Sequence, residues 1–270
     1  MDQKMENQEI PESPSEEKQG ELAWGRHVAL AALEGEGSVN KVWALRALMD
    51  SPLGSKIRQL AKSKGAVVSL VEKVKLDQLT QGENHQGIVV SAAAHQYADL
   101  SEVIEASKNS RHPLLLVLDG IEDPHNLGAL IRTAVGAGAQ GVIIPQRRAV
   151  GLTGIVEKSS AGSLDRMPVA RVGNLNELLK KLQKEGFWIV AADSSGKSFP
   201  YTVDLTVPVA LVIGGEGGGI SRLVLDNSDF VVRLPMVGDL ESLNASVAGG
   251  VLMYEILRQR LAQDPSMARE

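Results

Sequence analysis

The sequence contains no cysteine. Disulfides and thiolate-bound metals are excluded, and a reducing compartment fits. No apolar run approaches the roughly 20 residues that cross a bilayer. The longest, LLLVL at 114–118 and VPVALVI at 207–213, have the length of strands. Residues 1–20 are acidic and polar, so they are not expected to be a signal or transit peptide. They hold almost no large apolar side chains, so the expectation is a disordered tail. The five histidines, at 27, 85, 95, 112 and 125, show no metal-ligand spacing. These absences predict a cytoplasmic protein without a metal.

Net positive charge is also missing: the chain carries −5 at pH 7. The distribution matters more than the total. Residues 1–20 hold six acids against two lysines, so the remainder is nearly neutral. Residues 41–75 hold eight basic side chains (Lys41, Arg46, Lys56, Arg58, Lys62, Lys64, Lys73, Lys75) against Asp50 and Glu72. Phosphates respond to local charge, so a nucleic-acid partner stays open beside the plainer reading of a solvated helical face.

What is present is a two-part pattern. Residues 22–96 read as a small α/β unit. LAWGRHVALAALEG is expected as a helix stopped by Gly35, NKVWAL as a strand and SPLGSKIRQLAKSKG as a helix. AVVSLV and GIVVSAA follow as strands around a short helix. Residues 97–112 read as a polar, helix-like linker. From Leu114, strands alternate with helices up to the long SLNASVAGGVLMYEILRQRLAQ, which predicts a parallel sheet covered on both faces. The expected divisions are 1–20, 21–96, 97–112, 113–264 and a short 265–270 tail.

LVIGGEGGGISRL, residues 211–223, places five glycines around one glutamate after an apolar run. It is not a dinucleotide fingerprint, since Ile220 stands where the third glycine belongs. It is not a P-loop either, because Ile220 replaces the phosphate-binding lysine. Glycines there mean a sharply bent backbone that something can approach closely. Two further segments share the pattern of a strand end followed by polar residues at a helix start. DPHNLGALIRTA carries Asn126 and Arg132. LPMVGDLESLNASVA carries Ser242 and Asn244.

In this order, DPHNLGALIRTA, IGGEGGGIS and LPMVGDLESLNASVA resemble the three motifs of the SpoU (TrmH-like) RNA ribose 2′-O-methyltransferases of the SPOUT superfamily. The resemblance spans about 114–262. The 22–96 unit, ending in NHQGIVV, is similar to the substrate-binding domain of the 23S rRNA guanosine methyltransferase branch. It implies a C-terminal trefoil-knotted parallel-sheet catalytic domain behind a small α/β RNA-binding domain. It also implies a homodimer built on the last helix, with a site that uses both subunits.

The implied cofactor is S-adenosylmethionine, held mainly by backbone at Gly214, Gly215, Leu234, Met236 and Leu243. No metal is required. The implied reaction moves its methyl group to a ribose 2′-oxygen, with Asn126, Arg132, Glu216, Ser242 and Asn244 as the polar site. An arginine has a pKa above about 12, so Arg132 reads first as a clamp on the target phosphate and as a base only with help from that contact. Asn126 either caps its helix or orients Arg132 and Glu216. Glu216 either positions Arg132 or meets the ribose. Ser242 and Asn244 fit helix caps as well as site residues. His125 lacks any spacing that marks it as a base. Lys56, Arg58, Lys62 and Lys64 are the expected RNA contacts, through shape and phosphate. The alternatives are a tRNA or other rRNA target, a non-catalytic RNA-binding protein on the same fold, and a nucleotide hydrolase. The missing P-loop lysine argues against the last.

Overall fold

The computed structural model describes residues 22–239 and 242–268. The acidic segment expected to be disordered lies outside the described residues, as does the end of the C-terminal tail. Residues 22–92 form the elements β1 (Leu22–Trp24), α1 (Arg26–Glu34), β2 (Val39–Ala44), α2 (Arg46–Met49), α3 (Pro52–Ser63), β3 (Val67–Leu70), α4 (Lys73–Leu79) and β4 (Ile88–Ala92). Their sheet has the order β1-β4-β2-β3.

The first residues correct the sequence reading. Leu22–Trp24 is an edge strand antiparallel to β4, not the first turn of a helix. Gly25, at φ 90°, breaks the chain between the two, since a helix cannot run through that conformation. Behind the sheet, α1 and α3 bury Ala29, Leu33, Ile57 and Ala61 against Val42, Ala44 and Val90. The opposite face carries Trp43 and Val89 beneath Leu76 of α4.

The larger unit contains α5 (Leu100–Lys108), β5 (Leu114–Asp119), α6 (Pro124–Gly136), β6 (Gly141–Pro145), α7 (Gly154–Ser160), β7 (Val169–Val172), α8 (Leu175–Lys184), β8 (Trp188–Ala192), β9 (Val209–Gly214), α9 (Arg222–Asp226), β10 (Phe230–Val232) and α10 (Ala245–Gln263). Its six strands are all parallel, in the order β10-β8-β9-β5-β6-β7. Both faces are covered, which explains the unbroken apolar run of β5. Leu114, Leu116 and Leu118 enter the core shared with α6 and α10. Leu115 and Val117 enter the core shared with α8. On α8, the spacing of Leu175, Leu178, Leu179 and Leu182 makes one buried stripe, each leucine contributing about 2 kcal/mol of apolar burial.

The 97–112 segment, read as helix-like, holds α5. Asp99 caps α5 through the Ser101 and Glu102 amides, and Val103 and Ile104 are buried against the larger sheet. The smaller unit docks through a polar hub. Asn40 donates to the Leu152 carbonyl at 3.2 Å and accepts from the Tyr97 hydroxyl at 2.5 Å. Tyr97 in turn accepts from the Leu152 amide. Arg171 stacks over the Tyr97 ring and donates to the carbonyls of Val39, Asn40 and Gln146. Burial raises the Tyr97 pKa, against the opposing charge of Arg171, so the phenol stays protonated and donating at neutral pH. Among the described residues no helix is long and apolar enough to cross a membrane.

Candidate functional site

Three strands of the parallel sheet end at one cavity of about 500 Å³. The end of β9 supplies Gly214, Gly215 and Glu216. The stretch after β10 supplies Leu234 and Met236. The start of α10 and the loop before it supply Ser242, Leu243 and Asn244. Crevices beyond the carboxyl ends of parallel strands are where such sheets hold ligands.

The glycine loop is locked rather than loose. The Gly215 amide donates to the Asp119 carbonyl at 2.9 Å, and the Ser221 amide donates to the Asp119 carboxylate at 2.8 Å. Gly219, at φ 60°, donates back to the Gly215 carbonyl. A β-carbon on Gly215 would lie on top of the Gly120 carbonyl. Gly215→Ala is therefore expected to push the loop off β5 and cost about 1–3 kcal/mol. A thermal melt checks this, and an unchanged midpoint would refute the close-approach argument.

Beside the cavity, three side chains meet. Asn244 donates to the Asn126 carbonyl oxygen at 3.0 Å and to Glu216 Oε1 at 2.5 Å. Asn126 donates to the same Glu216 oxygen at 3.2 Å. Both amides converge on Oε1, so Glu216 is oriented as an acceptor. Asn126 is buried, and the cap of its helix is Asp123, which accepts from the His125 amide. The capping reading of Asn126 is thereby replaced. Asn244 caps its helix and joins the cluster as well. Its side-chain oxygen accepts from the Ser246 and Val247 amides, capping α10, while its nitrogen reaches Asn126 and Glu216. Ser242 lines the cavity, and the cap of α10 is Asn244 in its place.

Arg132 does not join this cluster within the chain. It lies six residues beyond Asn126 on α6, about 9 Å along the axis and roughly 240° around it. Its side chain is exposed. His125 is likewise exposed. The four expected RNA contacts sit on or beside α3, behind the small sheet. Lys56 pairs with Glu34, Arg58 lies 4.0 Å from Asp50, and Lys64 donates to the carbonyls of Gly35 and Gly37. Lys62 is exposed.

Ala192, Asp193 and Ser194, at the end of β8, line the same cavity and were not singled out from sequence. The signal was there: AADSSG is a buried strand running into turn residues. Asp193 Oδ1 accepts from the amide and the hydroxyl of Ser195, fixing its carboxylate at the cavity wall. Among the described residues no group of three His, Asp or Glu side chains could hold a metal. The cavity wall is glycine backbone and apolar side chains (Ile213, Val232, Leu234, Ala248) with two carboxylates, Asp193 and Glu216, and no lysine or arginine. That donor set suits a flat heterocycle with hydroxyls, and it does not suit a polyphosphate.

Residues 113–254 match the SpoU rRNA methylase family, and residues 22–98 match the RNA 2′-O ribose methyltransferase substrate-binding domain. The Bacillus subtilis (strain 168) protein YacO, assigned to the TrmH family of tRNA/rRNA methyltransferases, is 41% identical over 90% of this chain and 97% of its own. The SpoU methyltransferase AviRb from Streptomyces viridochromogenes, solved with AdoMet, is 26% identical. It covers 89% of this chain and 90% of that one, with a TM-score of 0.57. The A. aeolicus TrmH/SpoU tRNA modifying enzyme is 30% identical, over 61% of this chain and 83% of that one, with a TM-score of 0.53. With both domains matched in order, the chain belongs to the SpoU rRNA methylase family of RNA methyltransferases.

Proposed function

We propose that this chain transfers a methyl group from S-adenosylmethionine to a ribose 2′-hydroxyl of RNA, the target being a guanosine of 23S rRNA. The observation that carries the reading is the Asn126–Glu216–Asn244 cluster opening onto a cavity walled by glycine backbone. When bound, S-adenosylmethionine supplies a methyl group activated on a cationic sulfonium. Gly214, Gly215, Leu234, Met236 and Leu243 would hold it, with Asp193 placed to accept from its ribose hydroxyls. Asn126 and Asn244 fix the Glu216 carboxylate beside the cavity, where it orients the incoming hydroxyl. Positioning of this kind lowers the entropic part of the barrier.

Arg132 clamps the phosphate next to the target ribose. Its orientation on α6 makes the site composite, completed by a second copy of the chain. The supporting surface is an apolar stripe on α10. Val247, Val251 and Tyr254 are 51, 48 and 53% exposed and continue onto α6 at Thr133 and Gly136. A homodimer through this face brings Arg132 of each copy toward the other's cavity. The trefoil knot implied by the resemblance belongs to the same proposal, supported by the return of α10 onto α6 and β9. A cytoplasmic location follows from the substrate.

An rRNA target is favoured over tRNA because the likeness to the tRNA modifying enzyme spans 61% of the chain, too little to cover both domains. The exposed Lys56, Arg58 and Lys62, with the half-buried Lys64 beside them, then serve as a peripheral phosphate surface. The test is transfer of labelled methyl from S-adenosylmethionine to rRNA and tRNA fractions, wild type beside Arg132→Ala. The expected product is 2′-O-methylguanosine in 23S rRNA, lowered by at least about 10²-fold in the variant. Label in tRNA overturns the substrate, and cofactor binding without label in any RNA overturns the activity.

A further inference from the structure

A second cavity lies between the two domains, away from the glycine-walled one. It measures about 480 Å³, within the range of sites that hold a ligand of nucleotide size. The small domain contributes Lys41, Trp43 and Ser91 from its sheet face. The large domain contributes Arg147 and Arg148 from the loop after β6, and Arg171 from β7. Four cations therefore face one cleft, against a single carboxylate, Glu122. None of the four is ion-paired with a carboxylate among the described residues. Arg171 is spent on carbonyls, and the Lys41 ammonium rests over the Trp43 ring at 5.2 Å. Like charges gathered without counter-charges cost stability unless an anion shares the space.

Arg148 is the informative member. It lines this cleft and also the adjoining cavity that holds Asn126, Glu216 and the glycine loop. Its backbone sits at φ 54°, a conformation that side-chain-bearing residues rarely take. Outliers of this sort persist where function needs the side chain. We infer that the interdomain cleft is a phosphate-binding channel for single-stranded RNA, in which Lys41, Arg147 and Arg148 hold the backbone flanking the target nucleotide. Arg148 stands at the junction, where the strand passes from the cleft to Glu216. The small domain thus grips RNA with the sheet face opposite α3, and the polar hub at Asn40 keeps the two walls of the channel in register.

This inference rests on the reading of the chain as an RNA methyltransferase, and the experiment separates the two. Full-length wild type, Arg147→Gln/Arg148→Gly and the remote control Lys181→Gln/Lys184→Gln are compared for binding of rRNA across a salt series. S-adenosylmethionine binding and melting midpoint are measured in parallel. Glycine at 148 suits the left-handed backbone, so the fold is kept. The cleft variant is expected to bind rRNA roughly tenfold more weakly at low salt, with the log K against log salt slope reduced by about two. Cofactor affinity and midpoint are expected to match wild type, and the control to match it throughout. An unchanged salt slope in the cleft variant overturns the channel while leaving the methyltransferase reading intact. A parallel fall in cofactor affinity or midpoint overturns it too, since the arginines would then be structural. Failure of wild type to bind any RNA sinks both.

Discussion

Asn244→Ser is expected to leave the protein as stable as wild type while lowering methyl transfer by about 10²-fold or more. Serine is as good a cap as asparagine, so the Ser246 and Val247 amides keep their acceptor. What serine cannot do is reach Asn126 and Glu216, now held at 3.0 and 2.5 Å. Two further variants divide the roles. Asn244→Ala removes cap and cluster together, so it is expected to lose about 1 kcal/mol of stability as well as turnover. Asn244→Asp keeps the cap and adds a charge suited to a helix N-terminus, yet sets one carboxylate against another at Glu216. That variant should fold well and transfer poorly. Steady-state transfer assays and thermal melts on the three proteins check this. Full activity in Asn244→Ser would reduce Asn244 to a cap.

The second large effect lies far from the cavity. Arg260, near the end of α10, is only 2% exposed. Its guanidinium donates to the carbonyls of His112, Pro113, Leu205 and Val207 at 2.8 to 3.3 Å. Burial pushes its pKa down to about 10, so the charge persists at neutral pH. One side chain thereby ties α10 to the segments that lead into β5 and β9. Arg260→Met should be destabilising by about 3–5 kcal/mol. Two terms compete. Removing a buried charge relieves its desolvation, which alone would favour methionine. Against it, the carbonyls of His112, Leu205 and Val207 lose their donor, at about 1–3 kcal/mol for each one left unsatisfied, while Pro113 keeps the Val209 amide. The second term wins, because Arg260 is the donor that the His112, Leu205 and Val207 carbonyls have among the described residues. The corresponding fall in melting midpoint is about 10 °C. A variant that melts with wild type would show that these carbonyls are satisfied by water.

Much of this protein was legible without coordinates. The parallel sheet follows from apolar runs too continuous for a one-sided strand, separated by helices, the last of them opening at the cap Asn244. The glycine loop identified itself as a close approach of backbone, and its failure to match a phosphate loop pointed away from ATP. The errors were local. Leu22–Trp24 read as helix because three residues carry no period of their own, and only pairing with β4 makes them a strand. The helix of α5 was legible in its segment, while the burial of Val103 and Ile104 was hidden by its polar composition.

The chain alone determined which motifs are present and in what order they come, since motif identity resides in side-chain type and spacing. It also determined where each strand ends, and so where a ligand can sit. Only tertiary structure decided that Asn126, Glu216 and Asn244, separated by 90 and 118 positions in the chain relative to Asn126, share one hydrogen-bonded cluster. It decided as well that Arg132 turns away from that cluster while Arg148 turns toward it. Spacing along a helix fixes only which face a residue takes. Which neighbour that face meets depends on sheet order and domain docking, and those rest on contacts between segments too distant in sequence to leave a local pattern.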